Sequence, residues 1–353
     1  MGVKPLLILL VAQFDTILAS KLALVFIVSS IVTSTLSVAY YKTYMPIAIK
    51  YGASSVSKNI LLHSHISIAC ISLFGVILNV ENWITVSLIL EFVLHQYARV
   101  NLYRKEFRIW AVISILIPFI FILSWWTFNS YKLEGFNAVV FVISVVGILV
   151  NSAYTGLLEF LTELKIGDSI FGISRKLYTQ SDKLIVGFMY DPNVFWVVAI
   201  LYQIMNSANI IFDTIVVMPN KKEIATNRYG FDFYKIYKSN TIITLVGLIF
   251  SILVLYIAGY EEIEYLGFFL FLLAVRSFVI NTLNLSVEVF FWKFELMKLS
   301  KYMVILSLIF IITAYFLFNI LESGASLILV SLVFIFVLMI LNNFVIKSLQ
   351  VAK

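Results

Sequence analysis

The chain is 353 residues long, 62% hydrophobic and only 12% charged, where a soluble domain carries about 25% charge. Repeated apolar runs of about 20 residues mark an integral membrane protein. A lone Cys70 excludes an internal disulfide and a cysteine-based metal site, His63, His65 and His95 form no zinc motif, and the net charge of +6 reads as membrane topology rather than nucleic-acid binding.

The first apolar run, residues 5–14, rises only about 15 Å, half the hydrocarbon core. It reads as the remnant of a first helix that is shortened in this chain. No small-residue cleavage site follows it, so no cleavable signal peptide is expected. Full-length segments follow at 22–40, 60–79, 83–98, 109–128, 136–158, 169–190, 193–218, 240–259, 265–285, 300–319 and 326–344. No soluble domain interrupts them. The expected fold is all-α and polytopic, with about 11–12 transmembrane helices.

The loops alternate in charge. One side holds 19 Lys and Arg, among them Lys42, Lys50, Arg104, Lys221, Lys222 and Lys298. The other holds only Lys21 and Lys132, together with acids such as Glu261, Glu262 and Glu264. This asymmetry predicts cytoplasmic termini and cytoplasmic loops at 41–58, 99–108, 220–239 and 288–299. All six tryptophans lie near segment ends, as in an aromatic belt.

The halves echo one another. Met45-Pro46 and Met218-Pro219 each close a segment, and each following basic loop carries a Tyr-Gly pair, Tyr51-Gly52 and Tyr229-Gly230. Phe92-Val93 and Phe278-Val279 occupy corresponding segments. The pattern predicts two pseudo-repeated six-helix bundles, residues 1–165 and 166–353, around a central cavity.

Segment 169–190 reads SIFGISRKLYTQSDKLIVGFMY. Its Arg175, Lys176, Thr179, Asp182 and Lys183 fall within an arc of about 120° at 3.6 residues per turn. Charge at membrane depth is costly and usually faces a bundle interior or a water-filled cavity, so the stripe predicts a wet, net-positive lumen. The competing structural reading has Arg175 and Lys176 snorkelling at the cytoplasmic end and Asp182 and Lys183 pairing with neighbouring charges.

Tyr202, Asn206, Asn209 and Asp213 share an arc of about 60° on the next segment, and Ser277, Asn281, Asn284 and Glu288 do the same further on, with Arg276 to one side. Either these line the same cavity, or the asparagines join helices by hydrogen bonds. Glu91 and His95 stand at i,i+4, an arrangement that relays protons or merely neutralises itself. The hydroxyl row Ser29, Ser30, Thr33, Ser34 and Ser37 reads as close helix packing.

One stretch resembles a known family. It is Ser181-Asp182-Lys183-Leu184-Ile185-Val186-Gly187, then a Tyr190-Asp191-Pro192 turn, then a helix with Ala199, Tyr202-Gln203-Ile204 and a terminal Met218-Pro219. It is similar to the oligosaccharide-lipid flippases of the multidrug/oligosaccharidyl-lipid/polysaccharide exporter superfamily, which translocate O-antigen and capsule repeat units. The sharp resemblance covers about 50 residues, and helix count and loop polarity extend it loosely over the chain.

The resemblance implies alternating access in the bacterial inner membrane and an undecaprenyl-pyrophosphate-linked oligosaccharide as substrate. It implies cationic contacts from Arg175, Lys176 and Lys183, with Arg276 as an addition, and Asp182 and Asp213 as polar partners or proton carriers. No cofactor beyond a coupling proton or sodium ion is implied. Membrane lipids, a polysaccharide polymerase and a chain-length regulator are the partners it suggests, and no nucleic acid. The shortened first helix departs from the family pattern.

Three other readings compete, one of them a non-transporting subunit or pseudo-transporter, which the shortened first helix would fit. A polymerase-like membrane enzyme usually carries a large outer loop, where only about two to seven residues are available between segments here. A small-molecule exporter of the same superfamily would take organic cations, which a cationic stripe suits poorly.

Overall fold

The computed structural model describes residues 3–39, 57–77, 79, 81–103, 112, 120, 123–124, 135–155, 166–217, 233–257, 265–293 and 296–351. Among these residues every regular element is helical. The α-helices are α1 (Val3–Ala12), α2 (Thr16–Ala39), α3 (Ser57–Ile77), α4 (Asn82–Tyr103), α5 (Phe136–Thr155), α6 (Ile166–Met189), α7 (Pro192–Phe212), α8 (Phe233–Ile257), α9 (Leu266–Lys293), α10 (Leu296–Ile320) and α11 (Ser323–Val351). A π-helical turn, Asp213–Val217, extends α7.

The protein is a helical membrane protein. Among the described residues, five helical stretches are long and apolar enough to cross a bilayer: Pro192–Phe212, Ile236–Ile257, Leu266–Leu285, Leu299–Ile320 and Gly324–Val345. Each expected segment except 109–128, most of which lies outside the described residues, coincides with a helix. The short first run is helical, as Val3–Ala12.

All four expected loops are shortened by helix: the first gives residues 57–58 to α3. Residues 99–103, 233–239, and 288–293 with 296–299 are helical. None of these stretches contains proline or glycine, so nothing breaks the intrahelical hydrogen bonds beyond the apolar window. Residues 41–56, 104–108 and 220–232 lie outside the described residues. The expected single segment 193–218 also changes character at its end. The Asp213 amide donates to both the Asn209 and Ile210 carbonyls, and a wider π turn follows.

The chain divides into two compact units, one of residues 21–176 and one of residues 1–20 with 177–353. Residues 1–20 thus cluster with the second half of the chain. In the first unit α3 packs along α5, and α4 packs on both. The His65 ring lies so close to Gly147 that a Cβ there would stand 2.2 Å from its Cδ2, so a glycine lets α3 and α5 approach.

In the second unit α7 and α9 form the centre. α9 packs against α7, α8 and α11, α7 packs against α1 and α8, and α10 packs on α11. Burial follows this order. Two thirds (67%) of Pro192–Phe212 and of Leu266–Leu285 is buried, against 28% of Ile236–Ile257 and 22% of Leu299–Ile320. Exposed Leu245, Val246, Ile249, Phe250 and Leu253 on α8, and Ile305, Leu308, Ile309, Ile312 and Phe316 on α10, make apolar faces that water would not tolerate. They fit lipid.

Lipid offers no hydrogen bonds, so polar groups must be satisfied within the protein. Several buried hydroxyls do this inside their own helices. Ser251 donates to the Gly247 carbonyl (2.9 Å), Ser307 to Met303 (2.7 Å) and Ser331 to Leu327 (2.8 Å). Ser30 of the hydroxyl row bonds the Ile27 carbonyl at 2.8 Å.

Candidate functional site

The start of α7 is set by a local signal. Asp191 caps it, its carboxylate accepting from the Asn193 amide at 2.9 Å and from Asn193 Nδ2 at 3.2 Å, and Pro192 takes the first turn. The two-residue turn Tyr190-Asp191 therefore folds α7 straight back along α6. The N-terminal element is tied to this turn. Thr16 donates to the Asn193 side chain at 3.3 Å and Ser20 to the Pro192 carbonyl.

Asp182 lies seven residues before the end of α6 and Arg276 ten residues into α9, depths of about 10 and 15 Å at 1.5 Å per residue. They meet. Arg276 Nε donates to Asp182 Oδ2 at 2.5 Å, and Nη2 donates to Oδ1 at 2.9 Å and to the Thr179 carbonyl at 2.9 Å. This is a bidentate, charge-assisted pair. Its guanidinium sits between two rings, with Cζ 5.2 Å from the Tyr202 centroid and 5.1 Å from that of Phe334. Lys183 Nζ lies 5.4 Å from the same Tyr202 ring.

The cluster is closed. Relative exposure is 0% at Asp182, 2% at Lys183, 2% at Arg276 and 1% at Tyr202. Its walls are fixed by Phe269 edge-on to Tyr202 and by Phe310 edge-on to Phe334. Tyr178 anchors α6 to α11 by donating to the Val337 carbonyl at 2.8 Å. The Tyr202 hydroxyl is buried beside Asp182 and Ser331.

Of the residues singled out in the sequence, the structure brings together Asp182, Lys183 and Arg276. Arg175 and Lys176 stand half-buried further down α6 and engage other groups of the chain. The polar arcs of α7 and α9 face each other and α8. Ser277 donates to Asn209, and Asn281 donates to Asn240 Oδ1 at 2.7 Å, while Asn240 bonds the Phe278 carbonyl at 3.1 Å. Asn209, Asn240 and Asn281 thus join three helices. Asn206 is half-buried, and Asp213 opens the π turn. Glu91 is buried on α4 of the other unit, and the His95 side chain lies outside the described residues.

Sequence reasoning offered a pairing of Asp182 with a neighbouring charge, which the structure shows as Arg276, but it did not name Arg276 as the partner and missed the part played by the rings of Tyr202 and Phe334. A signal for the pair existed. Asp182 is the lone carboxylate of segment 169–190 and Arg276 the lone cation of segment 265–285, and intramembrane charges seek each other.

Among the described residues no group of His, Cys, Asp and Glu is arranged to hold a metal. A small apolar pocket at the α6–α7 turn is lined by Tyr190, Val194, Val198, Tyr265, Leu266, Gly324 and Leu327. Comparison with models of known protein families, with curated proteins and with solved structures gives no match.

Proposed function

We propose that this chain is a flippase for an undecaprenyl-pyrophosphate-linked oligosaccharide, an O-antigen or capsule repeat unit, in the bacterial inner membrane, with both termini cytoplasmic. The observation that carries this reading is α6. In a chain built of apolar helices, one helix holds Arg175, Lys176, Asp182 and Lys183, and a second supplies Arg276. Within residues 169–190 and 265–285, four cations stand against one carboxylate and make a net-positive path. A pyrophosphate cannot cross about 30 Å of hydrocarbon unaided, and cations in a low-dielectric setting attract it more strongly than water allows. The lipid tail stays in the bilayer while the head group passes.

In this reading Arg175, Lys176 and Lys183 meet the head group, and Asp182 couples transport to a proton or sodium ion through its grip on Arg276. Two pseudo-repeated six-helix bundles move against one another in alternating access. Short connections favour transport over glycosyl-transfer chemistry. α1 and α2 are separated by residues 13–15, α3 and α4 by 78–81, α6 and α7 by 190–191, and α10 and α11 by 321–322.

Purified chain reconstituted in liposomes should move a fluorescent polyprenyl-pyrophosphate oligosaccharide between leaflets far faster than empty liposomes. A rate equal to that of empty liposomes would reject the flippase reading.

The orientation is tested separately. In a Cys70→Ser background, cysteines placed at Lys50, Lys222 and Lys298 should resist an impermeant thiol reagent in intact cells, and one at Glu262 should react. Labelling at Lys222 without labelling at Glu262 would invert the topology.

A further inference from the structure

The residue before α9 carries backbone strain. Tyr265 has φ 70, a left-handed conformation that is costly for a residue with a bulky side chain. Its carbonyl accepts from the Phe269 amide at 2.9 Å, so α9 opens from that strained conformation. Among the described residues the other non-glycine with positive φ is Asn79, and asparagine tolerates it. Strain of this kind persists where the surroundings hold it, and it gathers at clamps and switches.

What holds Tyr265 is the start of α11. Its ring lies against Gly324, where a Cβ would stand 2.6 Å from Cδ2 and 3.0 Å from Cε2. A bare glycine is what lets the ring come so near. Tyr265 and Gly324 line the apolar pocket together with Val198 and Leu327. Those two are 1% and 4% exposed, whereas Tyr265 is 47% exposed, so its ring forms the outer wall. α9 and α11 run parallel. Tyr265 meets Gly324 at their starts, and Arg276 meets Phe334 further along both helices, about 15 Å away at 1.5 Å per residue.

We propose that Tyr265 is a strained latch between the starts of α9 and α11. Closed, its ring on Gly324 covers the pocket. Open, its backbone relaxes to negative φ, the ring leaves Gly324, and Val198 becomes accessible. The stored strain makes this opening easier than release of an unstrained ring contact. The latch does not depend on what the chain moves, so its failure and that of the flippase reading are separate results.

The test reads the rate of reaction with N-ethylmaleimide on the full chain in phosphatidylcholine nanodiscs, in the Cys70→Ser background. Val198→Cys reports the pocket. Leu338→Cys, buried deeper on α11, reports wider unfolding. With Tyr265 in place, Val198→Cys should react about tenfold or more faster than Leu338→Cys, because local opening is easier than global opening.

Two further variants separate strain from plugging. Tyr265→Ala and Tyr265→Gly both remove the ring. Glycine keeps positive φ without cost, whereas alanine is drawn to negative φ, the open form. Val198→Cys should therefore react about tenfold faster with Tyr265→Ala than with Tyr265→Gly, which is the size of the left-handed preference. Tyr265→Phe keeps ring and backbone and should leave the rate unchanged. Gly324→Ala forces the ring away and should raise the rate about tenfold or more.

Equal rates in Tyr265→Ala and Tyr265→Gly would overturn the latch. So would a Val198→Cys rate no higher than that of Leu338→Cys, which would leave Tyr265 as a fixed wall. If Gly324→Ala does not fold, the Tyr265 variants decide.

Discussion

Arg276→Met should destabilise the second unit by about 3–5 kcal/mol, because it leaves Asp182 as a buried carboxylate without its partner. Asp182 has no exposed surface to hydrate. The loss should appear as a large fall in melting midpoint in detergent and as poor accumulation in cells. Arg276→Lys should cost less, since a positive charge remains, but it loses the two-pronged fit and the stacking between Tyr202 and Phe334. Asp182→Leu combined with Arg276→Met removes both charges. That double variant should regain most of the stability, as apolar replacement of buried pairs usually does, while transport stays lost. Recovery of stability without recovery of transport separates the pair's function from its packing.

The local parts of the fold were legible because their signals are local. Asp191-Pro192 marks a helix start in sequence, and the cap is found there. Apolar runs of bilayer length gave the helices, and the charged residues of α6 were visible as a stripe. What the sequence hides is which helix stands opposite a given face. Ser277, Asn281 and Asn209 form polar arcs that suit a cavity lining, yet Ser277 bonds Asn209 and Asn281 bonds Asn240, so these side chains tie helices together. Arg276, placed off that arc, turns instead toward α6 and α11.

Periodicity fixes a direction around a helix axis but not the neighbour met in that direction. The Asp182–Arg276 contact spans 94 residues of chain, and no short-range pattern encodes it. The docking of α1 on α7 is similar. A short apolar helix carries no mark of its partner. The π turn after Phe212 also lacked a sequence signal, since Asp213–Val217 (DTIVV) reads as ordinary helix.

The second large effect concerns the cations of α6. Arg175→Gln, Lys176→Gln and Lys183→Met together remove three positive charges from one helix. Methionine at 183 keeps the buried stem's volume against Tyr202. Glutamine at the half-buried positions keeps hydrogen-bonding capacity. Insertion should not suffer, because charge in a membrane helix raises insertion cost. The bidentate Asp182–Arg276 pair is untouched, so the fold of the second unit should hold. Affinity for an anionic head group should fall steeply, since each charge-assisted contact counts for about twice a neutral one.

The most direct measurement is therefore surface glycan in cells that carry this triple variant at wild-type protein levels. The account predicts a fall of roughly tenfold or more in surface glycan, with lipid-linked glycan accumulating on the cytoplasmic leaflet. Surface glycan at the wild-type level, with no accumulation inside, would contradict it and leave the charges of α6 as structural pairs.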